Sequence, residues 1–265
     1  MRPVSFVFSA IPKKLRFAQF ASTIAATVLA LSFSSAVQAQ PENPFPPDFR
    51  TLGIGQQAAD ITTEGYDRFA CGNNGNLPLQ ALSGWVDYAK CAPDENGLHE
   101  VVVEFGNSTE RLSQLFHDQY GEELWLQPFG GTRVANFPVV MSLLFDDDGV
   151  SRAYRAVTDS RAETRDRSRA YLLRFRVYAH YGSDGWDCVK YEPRFGRTPV
   201  GTNYVDEVCT KSVDGKFVRV EGHTFRKPGQ TGVDLTGQFA PGQFESSTRW
   251  EAWDATFPRV EKEAL

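Results

Sequence analysis

Apolar residues recur along the chain in short runs that Gly, Asn and Asp interrupt at intervals. Three interruptions share one form, Asn96-Gly97, Asp148-Gly149 and Asp214-Gly215. Asn-Gly or Asp-Gly between apolar runs is a strong hairpin signal, because both central residues of a type I′ turn need positive φ. Each turn follows a glycine that closes an apolar-periodic segment: Gly72, Gly121 and Gly182, at separations of 25, 28 and 33 residues. A glycine just past a helix end supplies a left-handed cap. The pattern therefore predicts three units of helix, Gly, strand, turn and strand, spanning 51–106, 107–160 and 161–226, and a C-terminal strand region over 227–265.

The middle unit carries the best-marked helix. Asn107 can cap it, Glu110 stands at its third position, and Leu112, Leu115, Phe116 and Tyr120 follow at helical spacing. The third, Asp166–Tyr181, is ambiguous: Leu173, Phe175, Val177, Ala179 and Tyr181 alternate with polar residues as a strand would. Its length, its Arg- and Ala-rich start and Gly182 favour helix. The tail Gly242–Asp254 reads as a late strand. Together these elements predict an α+β fold, with helices packed on antiparallel sheet in repeated helix–hairpin units.

The register has a consequence for the four cysteines, Cys71, Cys91, Cys188 and Cys209. Three pairings are possible. Cys91 and Cys209 each lie six residues before a turn glycine, with Leu143 in the same place of the middle unit. That equivalence favours local bridges, Cys71–Cys91 and Cys188–Cys209.

The opening "LGIGQQAADITTEGY", Leu52–Tyr66, is a turn followed by a helix. With the helix-then-hairpin repeat it resembles small tandem modules of the beta-lactamase-inhibitor-protein type, also seen in the small lipoprotein of the outer-membrane β-barrel assembly machinery. The resemblance is one of topology over 51–226. It implies a protein that binds other proteins rather than one that catalyses.

Residues 1–39 differ in character from the rest. Arg2, Lys13, Lys14 and Arg16 precede an apolar run from Ile24 to Phe33, and small residues then lead to Val37-Gln38-Ala39. A basic start, an apolar core and a small-x-Ala end make a secretory signal peptide, and the core is shorter than the roughly 20 residues a membrane span needs. Residues 40–50 form a Pro-rich extended spacer, and 51–265 the globular domain. An even cysteine count in an exported chain fits disulfides, and a periplasmic or secreted location. Removal of four basic residues would shift the formal net charge from −5 to −9. Such an acidic chain argues against a general nucleic-acid binder.

Candidate chemistry is sparse. Asp146-Asp147-Asp148-Gly149 fails as a calcium loop, since Leu144 and Arg155 would occupy its first and twelfth positions; it reads as a hairpin turn. His99, His117, His180 and His223 show no metal-ligand spacing. No nucleophile elbow, phosphate loop or dinucleotide fingerprint occurs, and no cofactor is expected. The charge-dense segment is Arg152–Arg176, with eight arginines among three acids, so it carries +5 while the rest of the chain after residue 39 carries −14. On a continuous helix Arg165, Arg169, Arg176 and His180 fall within roughly 60° of arc, a stripe able to meet an anionic envelope component or an acidic protein. Trp125 and Trp186 hold equivalent places in two units and read as core, as do Trp250 and Trp253. The expectation is an exported, non-catalytic binding or accessory protein that acts through a sheet surface and the Arg-rich segment. The alternatives are a hydrolase-like periplasmic enzyme and a carrier of a small or lipidic ligand.

Overall fold

The computed structural model describes residues 49–76, 78, 80–105, 132–233, 235–238, 240 and 242–260. These lie within the compact unit Asn43–Leu265. The candidate signal segment, the capped helix expected from Asn107, His117 and Trp125 fall outside the described residues.

One continuous antiparallel sheet organises the chain. Its strands are β1 (Tyr66–Cys71), β2 (Ala81–Leu82), β3 (His99–Phe105), β4 (Thr132–Val134), β5 (Phe137–Phe145), β6 (Ser151–Thr158), β7 (Asp187–Lys190), β8 (Val205–Val213), β9 (Lys216–Phe225) and β10 (Glu245–Asp254). The spatial order is β2-β1-β3-β5-β6-β10-β9-β8-β7, with β4 paired to β5 in line with β3. The late strand β10 thus enters the middle of the sheet, between β6 and β9.

This corrects the expected α+β architecture: the described residues form mostly antiparallel β-sheet, and among them no helix–hairpin unit repeats. Two local causes are visible. The segment 52–65 forms turns and an isolated bridge, not a helix, before Tyr66 opens β1, and Gly55 and Gly65 adopt positive φ within it. The segment that ends at Gly72 is a strand, β1, paired on both sides. β3 and β5 are buried on both faces along nearly their whole length. Both stand where the Asn-Gly and Asp-Gly signals predict strands, so the error concerns the helices expected before them.

The Asp-Gly signals are better guides. Asp214 and Gly215, at φ 49° and 70°, make a two-residue turn between β8 and β9, where Val213 opposes Lys216. Asp148-Gly149 lies in the β5–β6 loop, which Asp146 organises: its Oδ1 accepts the N–H groups of Asp148 (3.1 Å) and Val150 (2.9 Å). Asn96-Gly97 turns instead into β3 from an isolated bridge between Pro93 and His99. Both local disulfides are present, Cys71–Cys91 and Cys188–Cys209, the second joining opposed residues of β7 and β8.

The two faces of the sheet differ. On the first, Phe69, Val101, Val103, Met141, Leu143, Tyr154, Val218, Val220 and Trp250 form the main core, closed by Trp85 from the 3-10 helix Trp85–Lys90 and by the helix Leu173–Tyr181. Leu173 and Val177, one helical turn apart, bury their side chains against it. Each such burial stabilises by about 1.5–3 kcal/mol. Trp250 is held edge-on by Tyr154 and Phe49, with ring centroids 5.4 and 5.2 Å away.

Under this helix lies a buried ion pair. Arg174 Nε donates to Glu207 Oε1 at 2.6 Å, Arg174 Nη1 to the carbonyl of Tyr171 at 2.6 Å, and the Tyr178 hydroxyl to Glu207 at 3.3 Å. Burial, with the Glu207 charge beside it, raises the pKa of Tyr178. The stem of Arg174 crosses β9 at Gly222, where a Cβ would lie 2.7 Å from Arg174 Cδ. Glycine is required there by close approach, not by φ.

Candidate binding site on the charged face

The second face of the sheet holds a lattice of opposite charges. Its basis is a tripeptide that occurs twice, Arg219-Val220-Glu221 in β9 and Arg249-Trp250-Glu251 in β10. The strands run antiparallel with Arg219 opposite Glu251 and Glu221 opposite Arg249. Successive residues of a strand point to opposite faces. The register therefore sends Val220 and Trp250 to the main core and sets the four charged side chains in a checkerboard. β6 extends it by one square, since Arg155 opposes Glu251.

Arg155 is the deepest member, with a side chain only 2% exposed. Its Nε donates to Glu251 Oε1 at 2.7 Å. Nη1 lies 3.0 Å from Glu100 Oε2 but off hydrogen-bond alignment, and Nη2 is 3.7 Å from Asp94. Burial opposes its charge, yet the Glu100, Glu251 and Asp94 carboxylates raise its pKa above the ordinary value. Glu100 also accepts the Ser142 hydroxyl (2.7 Å) and the Asn74 N–H (2.7 Å).

Glu251 shows the same balance from the acidic side. Burial alone would raise its pKa, but Arg155 and Arg249 hold it down at about 2. Its Oε1 accepts Arg249 Nε at 2.9 Å and its Oε2 the indole N–H of Trp253 at 3.2 Å. Glu221, which accepts Arg219 Nε at 3.0 Å, is likewise lowered against the cost of burial, by His223 and the two neighbouring arginines.

Loops wall this lattice. Arg249 Nη1 and Nη2 donate to the carbonyl and side-chain oxygens of Asn74, at 3.1 and 2.6 Å. The neighbouring Gly75 has φ +79° and leaves no room for a Cβ, which would lie 2.2 Å from Val157 Cγ2. On the other side the chain leaves β10, turns at Asp254 and passes over the sheet. Arg259 stacks on the Phe217 ring, 3.6 Å from its centroid, and the Val260 N–H donates to Asn96 Oδ1 at 2.6 Å. Floor, strap and the Asn96 turn enclose a cavity of about 310 Å³, with Trp253 and Phe217 as its apolar wall.

The residues of the Arg-rich segment are distributed otherwise than the sequence pattern predicts. Arg152 and Arg155 project from β6 to the charged face, where Arg152 pairs with Asp146 (2.7 Å) and Asp254 (3.2 Å) at its rim. Arg161 is bound to Asp159, and Arg174 is buried beneath the helix. Arg165, Arg169, Arg176 and His180 are all exposed. The helix expected over Asp166–Tyr181 is broken at Arg169, between the helix Thr164–Ser168 and a 3-10 turn at Ala170–Leu172. That break removes the common helical phase that placed the four on one stripe. His180 packs against Phe49 and Tyr181.

Of the remaining histidines, His99 contacts the Cys91 carbonyl (2.6 Å) and Asp147 Oδ1 (3.0 Å), which tie it to the Asp-rich loop. His223 faces Asp206 in β8 and Ser247 in β10. Its Nδ1 is 3.1 Å from Asp206 Oδ1, whereas Nε2 lies 3.9 Å from Glu221, and among the described residues no hydrogen bond joins it to Ser247. Asp206 is further engaged by Arg197 and Tyr204. The group is an Asp–His contact that Arg197 and Tyr204 share. Among the described residues, no cluster of three His, Cys, Asp or Glu could hold a metal ion.

The lattice had one legible signal, the repeated Arg-x-Glu in strands that must alternate. Its pairing needed the register, which sequence spacing does not supply. No family model, curated protein or solved structure matches the chain, and the likeness to beta-lactamase-inhibitor-protein modules stays an expectation of the sequence.

Proposed function

We propose that this chain is an exported, non-catalytic binding or accessory protein whose recognition surface is the charged face of its sheet. The observation that carries this reading is the Arg155–Glu251–Arg219 row, with Arg249 and Glu221 beside it, on the floor of a cavity. Taking these charges out of water opposes folding, and well-packed apolar residues would serve stability as well or better. A preorganised set of donors and acceptors is what a recognition surface needs. Two disulfides fit an oxidising compartment. Residues 1–39, read as a signal peptide, support periplasmic or secreted placement, and no helix among the described residues is long and apolar enough to cross a membrane.

The test is site-specific photocrosslinking in the exporting cell, with the probe at Thr210 at the cavity mouth and, as control, at Arg176 on the helical side. The expected result is a discrete adduct from Thr210, lost in Arg249→Glu and absent from the control. Equal labelling from both positions, or an adduct indifferent to Arg249→Glu, would remove the charged face from consideration. N-terminal sequencing of the mature protein checks export, with Gln40 as the expected first residue.

A further inference from the structure

We propose that the Cys188–Cys209 disulfide is a thiol–disulfide exchange site, attacked at the Cys188 sulfur by a dithiol reductant, with Cys209 as the leaving sulfur. The two disulfides stand in opposite surroundings. Cys71 and Cys91 are each 4% exposed and belong to the main core. Cys209 is 1% exposed, whereas its partner Cys188 is exposed, on a strand whose four residues all face solvent. That strand, β7, is also the last of the sheet and, among the described residues, pairs only with β8. A thiolate can therefore approach Cys188 from the open edge, while burial shields Cys209 and both sulfurs of the core pair. Exposed disulfides are the labile ones, and buried structural ones resist reduction.

The helix furnishes the leaving side. The Tyr178 hydroxyl donates to Cys209 Sγ at 3.1 Å and lies 3.3 Å from Glu207 Oε1, so one proton serves two acceptors. Glu207 is also held by Arg174 Nε at 2.6 Å. When the S–S bond breaks, Cys209 carries away the electron pair and becomes a charged acceptor, to which a hydrogen bond is stronger than to a neutral sulfur. Burial and the Glu207 charge raise the pKa of Tyr178, so the hydroxyl keeps its proton and remains a donor. A thiolate stabilised in this way leaves faster. The first thiolate of the reductant forms a mixed disulfide with Cys188, and Cys209 takes a proton from water. The second thiolate attacks the reductant's sulfur in that bond, closes the reductant's own disulfide and releases Cys188 as a thiolate, which is also protonated. Two electrons pass from the dithiol to the cystine, and the two protons it loses return to the cysteines through water. The outermost strand then keeps its backbone ladder to β8 without the covalent tie.

Limited reduction of the native protein with dithiothreitol, followed by acid quench, alkylation in denaturant and peptide mapping, tests this. Cys188–Cys209 is expected to open at least tenfold faster than Cys71–Cys91. With reduced glutathione in place of the dithiol, the adduct is expected on Cys188 and the free thiol on Cys209. Tyr178→Phe keeps the ring that packs on Trp186, 4.8 Å away, and should slow opening about tenfold. Loss of a merely structural contact would loosen the strand and speed opening, so a slower rate reads the hydroxyl itself. Opening of the core pair at the same rate or faster, or a glutathione adduct on Cys209, would overturn the proposal. An undiminished rate in Tyr178→Phe would overturn the part assigned to its hydroxyl.

Discussion

Arg155 and Glu251 oppose each other directly across β6 and β10, and the guanidinium Nε meets the carboxylate Oε1 at 2.7 Å. Neither reaches bulk water to any extent, and Glu100 completes the Arg155 site from the far side. The relation is asymmetric in energy. Removal of one partner strands the others, whereas removal of the whole set does not.

Arg155→Ala is thus expected to destabilise the fold by about 3–5 kcal/mol, because Glu100 and Glu251 remain buried without their cation. A triple variant with apolar residues of similar size at 100, 155 and 251 should recover most of that loss. Urea denaturation monitored by tryptophan fluorescence measures both. A loss below about 1 kcal/mol in Arg155→Ala would show the cluster to be solvated.

The depressed Glu251 carboxyl fixes a pH dependence. Its folded pKa, about 2, lies below the ordinary 4.5. A group depressed on folding contributes stability above its unfolded pKa and loses that contribution as pH falls toward the folded one. Wild-type stability should therefore fall between pH 4.5 and pH 2. Glu251→Gln should show a shallower fall in that window despite lower stability at pH 7. Denaturation midpoints at pH 3 and pH 6 for both proteins give the comparison, and parallel falls would contradict it.

Gly222 and Arg174 are coupled by space. Gly222→Ala places a methyl 2.7 Å from Arg174 Cδ, while Glu207 and the Tyr171 carbonyl hold the guanidinium. Overpacking of this kind costs about 1–3 kcal/mol. The same substitution in an Arg174→Ala background should cost less than half as much. A double-mutant cycle reads the difference, and additive effects would show that the stem moves aside freely.

Phe195 occupies the first central position of the turn Arg194–Arg197 at φ 52°, with its side chain 75% exposed. A bulky residue there stores strain that Asn or Gly would relieve. Phe195→Asn is expected to raise stability by about 0.5–1 kcal/mol, since the ring whose contacts with Arg194 and Arg197 it removes is itself exposed. A lower melting temperature in scanning calorimetry would count against it.

The chain by itself determined features that a few neighbouring residues decide. Asp214-Gly215 dictates a two-residue turn because its backbone demands are local; the cysteine pairs are the local ones expected, although Cys91 caps a 3-10 helix and does not share the strand position of Cys209. The late strand at Glu245–Asp254 is also visible, from β-forming residues bounded by Gly242. The strands expected at β3 and β5 are present, whereas the expected helices fail over 52–65, which holds turns, and before Gly72, where the chain is the strand β1. At Arg169 the fold interrupts a helix that residue periodicity would have continued.

The tertiary structure alone decided where β10 goes. Its insertion between β6 and β9 brings Arg249 and Glu251 beside residues 219 and 221 and, nearly 100 positions away in sequence, beside Arg155. Strand order is set by the summed burial of both faces, and no local preference encodes it. The Arg-rich segment is conspicuous in sequence, yet the fold divides it between a buried ion pair, the floor and rim of the charged face, and the helical side. The charged cavity arises from two inconspicuous Arg-x-Glu tripeptides, which became a site only when antiparallel register set each arginine against the other strand's glutamate.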